Sequence, residues 1–202
     1  MIILLNLKLQ NLYKFDKIKQ NNIHNTYMSE FIKSNVEDHL KWNKTTIDDL
    51  VLNLIQNKIR IRTAESCTGG GIMNAITNID GSSRIMDLSV LVYSPEIKQK
   101  ILNVPHELTE EMTIVSRETA ESMNTGLCKF AKSLKLLDAH INITITGWIG
   151  WAPTKELTNV VYFTLGNSNK TKTFKITVNI GENKQKKKEF IIKRILLEAL
   201  DF

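Results

Sequence analysis

The chain is 202 residues long, 42% hydrophobic, 24% charged and 7% aromatic, which is the arithmetic of one ordinary globular domain. Nine glycines and three prolines exclude a collagen-like or low-complexity chain, and the apolar fraction is too high for intrinsic disorder. With 27 basic against 21 acidic residues the net charge is +6, which raises a polyanion as a partner, while no run of about 18 apolar residues is present to span a bilayer.

Residues 1–42 are expected to be a poorly structured extension, followed by a single domain over 43–202. The apolar opening MIILL is interrupted by Asn6 and Lys8, too early for a secretory core, and residues 1–27 hold neither the Arg nor the Ser of a mitochondrial transit peptide. Met28 opens the stretch MSEFIKSN, a plausible second start, and whether residues 1–27 belong to the native product is not readable from the residues. Cys67 and Cys128 form no metal-ligand spacing and no disulfide framework, and His24, His39, His106 and His140 are scattered. The expectation is a reduced, cytoplasmic protein with no metal and no cofactor.

Regular structure becomes legible at Thr46. Thr46 and Asp49 form a capping-box spacing, and Ile47, Leu50, Val51, Leu54 and Ile55 recur at helical intervals. Ile59 and Ile61 alternate with Arg60 and Arg62 as in a strand that runs into Cys67-Thr68-Gly69-Gly70-Gly71. A helix follows, with Ile72, Ala75, Ile76 and Ile79 on one face. The run LSVLVYS reads as a buried strand, and PEIKQKILNV as a short helix with Pro95 in its first turn. Ser116 caps a longer helix whose Ala120, Met123, Leu127, Phe130 and Leu134 face a core. HINITIT, VVYFTL and KTFKITVNI are three more strands, and a helix from Lys184 to Leu200 closes the chain. Alternating helices and strands predict a three-layer α/β/α domain around a mainly parallel or mixed sheet.

Three strand ends carry the chemistry. Thr63–Gly71 reads TAESCTGGG, which places a small nucleophile (Ser66, Cys67 or Thr68) at the end of a strand, ahead of glycines and a helix start. Backbone N–H groups converge there and can hold an oxyanion or a phosphate; the same glycines also serve a plain tight turn. In Tyr93-Ser94-Pro95-Glu96-Ile97-Lys98 the lysine lies one helical turn after Ser94. Drawn into a cleft, such an amine loses proton affinity and acts as a base toward a serine; on a helix surface it is merely solvated. Thr144-Ile145-Thr146-Gly147 ends a third strand in a hydroxyl and a glycine. If these strands are parallel, Ser66, Tyr93 and Thr146 fall together beyond their carboxyl ends, where open α/β sheets collect ligands. A fourth feature, Lys184-Gln185-Lys186-Lys187-Lys188, puts cations in a first helical turn against the macrodipole, a small cost that a bound phosphate reverses and that plain exposure in salt also screens, as on an ordinary solvated face.

These segments, in this order, resemble the C-terminal domain of the competence/damage-inducible protein CinA, the family that includes the stand-alone nicotinamide-nucleotide amidase PncC. The resemblance rests on Ala64-Glu65-Ser66-Cys67-Thr68-Gly69-Gly70, Gly81-Ser82-Ser83, Val92-Tyr93-Ser94-Pro95-Glu96-Ile97-Lys98, Val115-Ser116 and Thr146-Gly147, and covers about residues 46–200. It implies hydrolysis of the amide of nicotinamide mononucleotide, or a related pyridine nucleotide, to nicotinic acid mononucleotide and ammonia. By the same resemblance Ser66 is the nucleophile and Lys98 its base, Tyr93 and Ser83 complete the proton-handling group, and Thr68, Gly69, Gly70, Thr146, Gly147 and Lys184 contact the substrate.

Two departures qualify that reading. The family's glycine-rich loop after the TG pair, of the type GIAGPxGG and then KPVG, is here Gly147-Trp148-Ile149-Gly150-Trp151-Ala152-Pro153-Thr154-Lys155-Glu156-Leu157-Thr158-Asn159. Its GDR motif is Gly181-Glu182-Asn183, so the phosphate-facing arginine is an asparagine, with Lys184 next door. The rival reading is therefore a weak or inactive CinA-like module that binds a nucleotide or a protein. Nucleic-acid binding has only the net charge behind it, since no aromatic-interleaved basic stripe and no helix-turn-helix signature is present. The expected partner is a small nucleotide, with no nucleic acid and no membrane. Strand order is not readable from the residues, and a homodimer is left open.

Overall fold

The structure, a computed structural model, describes residues 45–178 and 183–202. The extension expected over 1–42, the second start at Met28, and Gly181 and Glu182 lie outside the described residues. The chain divides into Met1–Thr45 and Thr46–Phe202, and the elements that follow belong to the second unit. They run α1 (Ile47–Gln56), β1 (Ile61–Glu65), α2 (Gly71–Thr77), a 3₁₀ turn (Ser82–Arg84), β2 (Met86–Leu91), α3 (Pro95–Leu102), α4 (Arg117–Ser133), β3 (Ile141–Gly147), β4 (Val160–Gly166), β5 (Thr171–Thr177) and α5 (Lys184–Leu200).

The strands order as β2-β1-β3-β4-β5. β1 pairs in parallel with β2 and β3, whereas β4 and β5 each run antiparallel to the strand before them. The sheet is thus mixed, and its three parallel strands end on the same edge. Side-chain alternation divides β3 between two cores. Ile141, Ile143 and Ile145 join β4 residues Val161, Phe163 and Leu165 beneath α1, α2 and α5. On the other face Thr144 Oγ1 donates to Ala120 O of α4 at 2.8 Å, and Met123 and Leu127 of α4 pack with Leu102 of α3. The result is the expected α/β/α sandwich.

The helix starts follow local chemistry. Thr46 and Asp49 form a reciprocal capping box at α1. Ser94 accepts from Ile97 N at the head of α3, where Pro95 occupies the first turn, and Ser116 accepts from Thr119 N at α4. The corrections concern ends and edges. The run expected as a buried strand is an edge strand, β2, partly exposed along its length; an apolar run is compatible with either position. Helix α2 stops at Thr77, short of Ile79. Leu134 is the cap residue of α4 and 49% exposed, not a core residue, because the helix ends before that turn can close over the sheet.

Candidate functional site

Ser66 follows β1 directly and begins the turn into α2. Gly69 N donates to Ser66 O at 3.0 Å, closing the turn, and Gly69 and Gly70 take φ of +67° and +86°. Glycine enters that left-handed region without the Cβ clash that other residues meet. Beneath the turn, the buried carboxylate of Glu65 accepts from Ile72 N at 3.1 Å and Met73 N at 2.8 Å. It satisfies two orphan donors at the start of α2 and fastens that helix to the strand end that presents Ser66. Sequence reasoning gave Glu65 no role. The available signal was a carboxylate a few residues before a helix whose N-cap is glycine and offers no side-chain acceptor.

Lys98 enters from α3. It shares that helix's core-facing side with Leu102, four residues on, and is 1% exposed. Its Nζ lies 3.1 Å from Ser66 Oγ, 2.9 Å from Val92 O and 3.1 Å from Tyr93 O. Burial pulls the Lys98 ammonium down from 10.5 to about 8, with the adjacent Cys67 acting in the opposite sense. A neutral amine has two N–H donors and one lone pair. As the ammonium, Nζ donates to Val92 O, Tyr93 O and Ser66 Oγ; once a proton is lost, two N–H groups remain for the carbonyls and the lone pair accepts from Ser66 Oγ–H.

Cys67 is also buried, and desolvation pushes its thiol up to about 12. It stays protonated at neutral pH and is a poor nucleophile. Its sulfur packs against Gly147, where an added Cβ would fall 3.0 Å from Cys67 Sγ and 2.7 Å from Val161 Cγ2. Any side chain at Gly147 would therefore displace the strand end from the Ser66 turn.

The pair opens into a cavity of about 270 Å³ lined by Ser66, Lys98, Tyr93, Thr146, Gly147 and Lys184, with Trp148 and Trp151 forming another part of its wall. The parallel strands deliver Ser66, Tyr93 and Thr146 to one edge, as expected. Thr146 Oγ1 donates to Ile114 O at 2.7 Å, so its proton is committed and its oxygen serves as an acceptor. Of Tyr93 it is the main-chain carbonyl that meets Lys98; the side chain is 64% exposed at the mouth. Thr68, Gly69 and Gly70 build the turn without lining the cavity. Ser83 is not brought to the site. It is exposed in the 3₁₀ turn that precedes β2, at the amino end of the parallel strands, whereas Ser66 follows their carboxyl end.

The start of α5 supplies positive charge. Asn183 Oδ1 accepts from Lys186 N at 3.0 Å as the N-cap, which turns that side chain into the helix. Lys184 lines the cavity, and Lys188, one turn on, places Nζ against the glycine turn, 3.0 Å from where a Cβ on Gly69 would stand. Lys187 Nζ donates to Asn159 Oδ1 at 3.1 Å. Helical spacing thus sorts the basic run, which the sequence offered as a whole and of which only Lys184 was expected to contact the substrate. The altered loop carries the tryptophans: Trp148 and Trp151 meet edge to face at 5.8 Å and 87°, with Trp151 72% exposed. Among the described residues, no helix is long and apolar enough to cross a membrane.

The sequence profile of the CinA C-terminal domain matches residues 43–202. A CinA-like protein of Endomicrobium trichonymphae is 37% identical over 150 residues, covering 73% of this chain and 32% of that protein. A CinA-like protein of Kosmotoga olearia is 35% identical over 159 residues, covering 78% and 36%. The chain therefore spans about a third of the length of these curated relatives. The crystal structure of a competence or damage-inducible protein from Enterobacter asburiae superposes with a TM-score of 0.67 at 27% identity, covering 78% of this chain and 98% of that one.

Proposed function

The chain belongs to the CinA C-terminal domain family, and on that premise we propose that it hydrolyses the carboxamide of nicotinamide mononucleotide or a related pyridine nucleotide. The observation that carries the reading is the Ser66 Oγ–Lys98 Nζ contact of 3.1 Å at the wall of a cavity, made by a lysine that is 1% exposed. A serine needs an adjacent base to attack an amide, and a lysine serves only when its environment favours the neutral amine.

In the proposed reaction Lys98 takes the Ser66 proton as Oγ adds to the amide carbon. The oxyanion is met by N–H groups of the turn, with Cys67 N the nearest in sequence to the nucleophile. The proton held by Lys98 passes to the amide nitrogen, the C–N bond breaks, and ammonia leaves an ester on Ser66. Water then adds to the ester carbon and gives its proton to Lys98. Collapse releases the carboxylic acid, which loses its own proton to solvent, and the proton on Lys98 returns to Ser66. The ester oxygen and the departing nitrogen are served by one base, so no second acid is needed. On this reading Lys184 and Lys188 hold the substrate's phosphate, Trp148 and Trp151 flank its ring, and the protein acts in the cytoplasm.

The inward turn of Asn183 favours a second reading, a binding module with little turnover: the residue at the expected phosphate-clamping position is spent on the helix cap. Purified protein incubated with nicotinamide mononucleotide decides between them. Release of ammonia with matching formation of nicotinic acid mononucleotide supports the hydrolase. Thermal stabilisation by the nucleotide with neither product supports the binding module.

A further inference from the structure

The loop that departs from the family pattern is tied down at one residue. Asn159, just ahead of β4, has φ of +59°, a left-handed conformation that asparagine tolerates better than most side-chain-bearing residues. Its Oδ1 accepts two hydrogen bonds, from Gly150 N at 3.1 Å and from Lys187 Nζ at 3.1 Å. Its main-chain oxygen accepts a third, from Val178 N at 2.9 Å, so the backbone is held independently of the side chain. One carboxamide oxygen thus joins the loop beside Trp151 to the helix that carries Lys184 and Lys188. Both groups bound to it are neighbours of cavity-lining residues: Gly150 lies between Ile149 and Trp151, and Lys187 is three residues after Lys184.

We propose that Asn159 is a positioning residue for substrate binding: its Oδ1 clamps the Trp148–Trp151 loop to the start of α5 and so fixes the aromatic and cationic walls of the cavity relative to each other. It touches neither Ser66 nor Lys98, so its effect falls on substrate affinity rather than on the chemical step. This deepens the proposed function and rests on it for the identity of the ligand, while the clamp itself is a property of the ligand-free chain.

Asn159→Gly isolates the clamp, because glycine adopts the same backbone conformation without strain and removes only the acceptor. Asn159→Asp retains an oxygen in place and strengthens the bond to Lys187 with a charge. Two hydrogen bonds at roughly 1 kcal/mol each set the expected effect at about 5- to 30-fold in KM for nicotinamide mononucleotide. Asn159→Gly is expected to raise KM by that factor with kcat within about twofold of wild type, and Asn159→Asp to restore KM. In ligand-free protein, acrylamide quenching of indole fluorescence is expected to rise in the glycine variant and return to the wild-type value in the aspartate variant.

A fall in kcat at unchanged KM would overturn the proposal, as would a glycine variant matching wild type in both KM and quenching. If wild type releases no ammonia, the hydrolase reading fails separately. The clamp is then decided by quenching and by the nucleotide Kd from fluorescence titration: a glycine variant matching wild type in both overturns it, and a glycine-specific change that aspartate reverses sustains it.

Discussion

Replacing Lys98 by Met tests whether a proton-poor lysine is built into the fold. Holding the ammonium charged in its buried position costs stability, because its pKa falls from 10.5 to about 8. At about 1.4 kcal/mol per pKa unit, the folded chain carries a penalty of about 3 kcal/mol at pH 7. Below about pH 8 folded and unfolded chains both hold the proton and the penalty is full. Between about 8 and 10.5 the folded chain has released it and the unfolded chain has not, so stability rises with pH, and by pH 10 less than about 1 kcal/mol of penalty is left. Methionine removes this term at every pH. It also orphans Val92 O and Tyr93 O, which lose Nζ as donor, at roughly 1 kcal/mol each. The variant should therefore be more stable than wild type by about 1 kcal/mol at pH 7 and less stable by about 1 kcal/mol at pH 10. Urea unfolding of both proteins at the two pH values measures this. The orphaned carbonyls cancel in the comparison, so the deciding quantity is the change between the two pH values, about 2 kcal/mol. A stability difference that does not move with pH would refute a depressed Lys98 pKa and with it the base assigned to Ser66.

The same titration governs rate: kcat/KM should rise about fivefold from pH 7 to 8 and level off above about pH 9, because only neutral Lys98 accepts the serine proton. An acid-side optimum in the pH profile would contradict this. Cys67→Ala should keep most of the activity, since its thiol, pushed up to about 12, carries no nucleophilic charge at neutral pH. Loss comparable to that of Ser66→Ala would move the nucleophile one residue. Lys184→Met with Lys188→Met should raise KM for nicotinamide mononucleotide by about a hundredfold or more, from the loss of two charge-assisted contacts at about 1.5–3 kcal/mol each, with a smaller change in kcat. Equal KM values for mutant and wild type would remove these lysines from the phosphate.

The parallel half of the fold was legible because its signals are local. Capping residues at Thr46 and Ser116, Pro95 in a first turn, and hydroxyls at three strand ends fix elements and bring Ser66, Tyr93 and Thr146 to one edge. Lys98 could be placed on a helix one turn after Ser94, but its burial could not, since that depends on α3 packing with its Lys98–Leu102 side inward. Ser83 shows the limit of a motif read without a fold: adjacency in a motif set does not bring the amino and carboxyl ends of parallel strands together. Asn159 and Lys187 were illegible for a related reason. Their contact spans 28 residues and joins a loop to a helix, and neither residue type announces a partner at that range.

The central claim is covalent: an amide carbon becomes an ester on Ser66. Rapid acid quenching of protein turning over nicotinamide mononucleotide, followed by peptide mass mapping, tests it directly. The expected result is an acyl adduct on the peptide bearing Ser66, absent from Ser66→Ala, which should also release no ammonia. Ammonia release by Ser66→Ala at the wild-type rate would contradict the account.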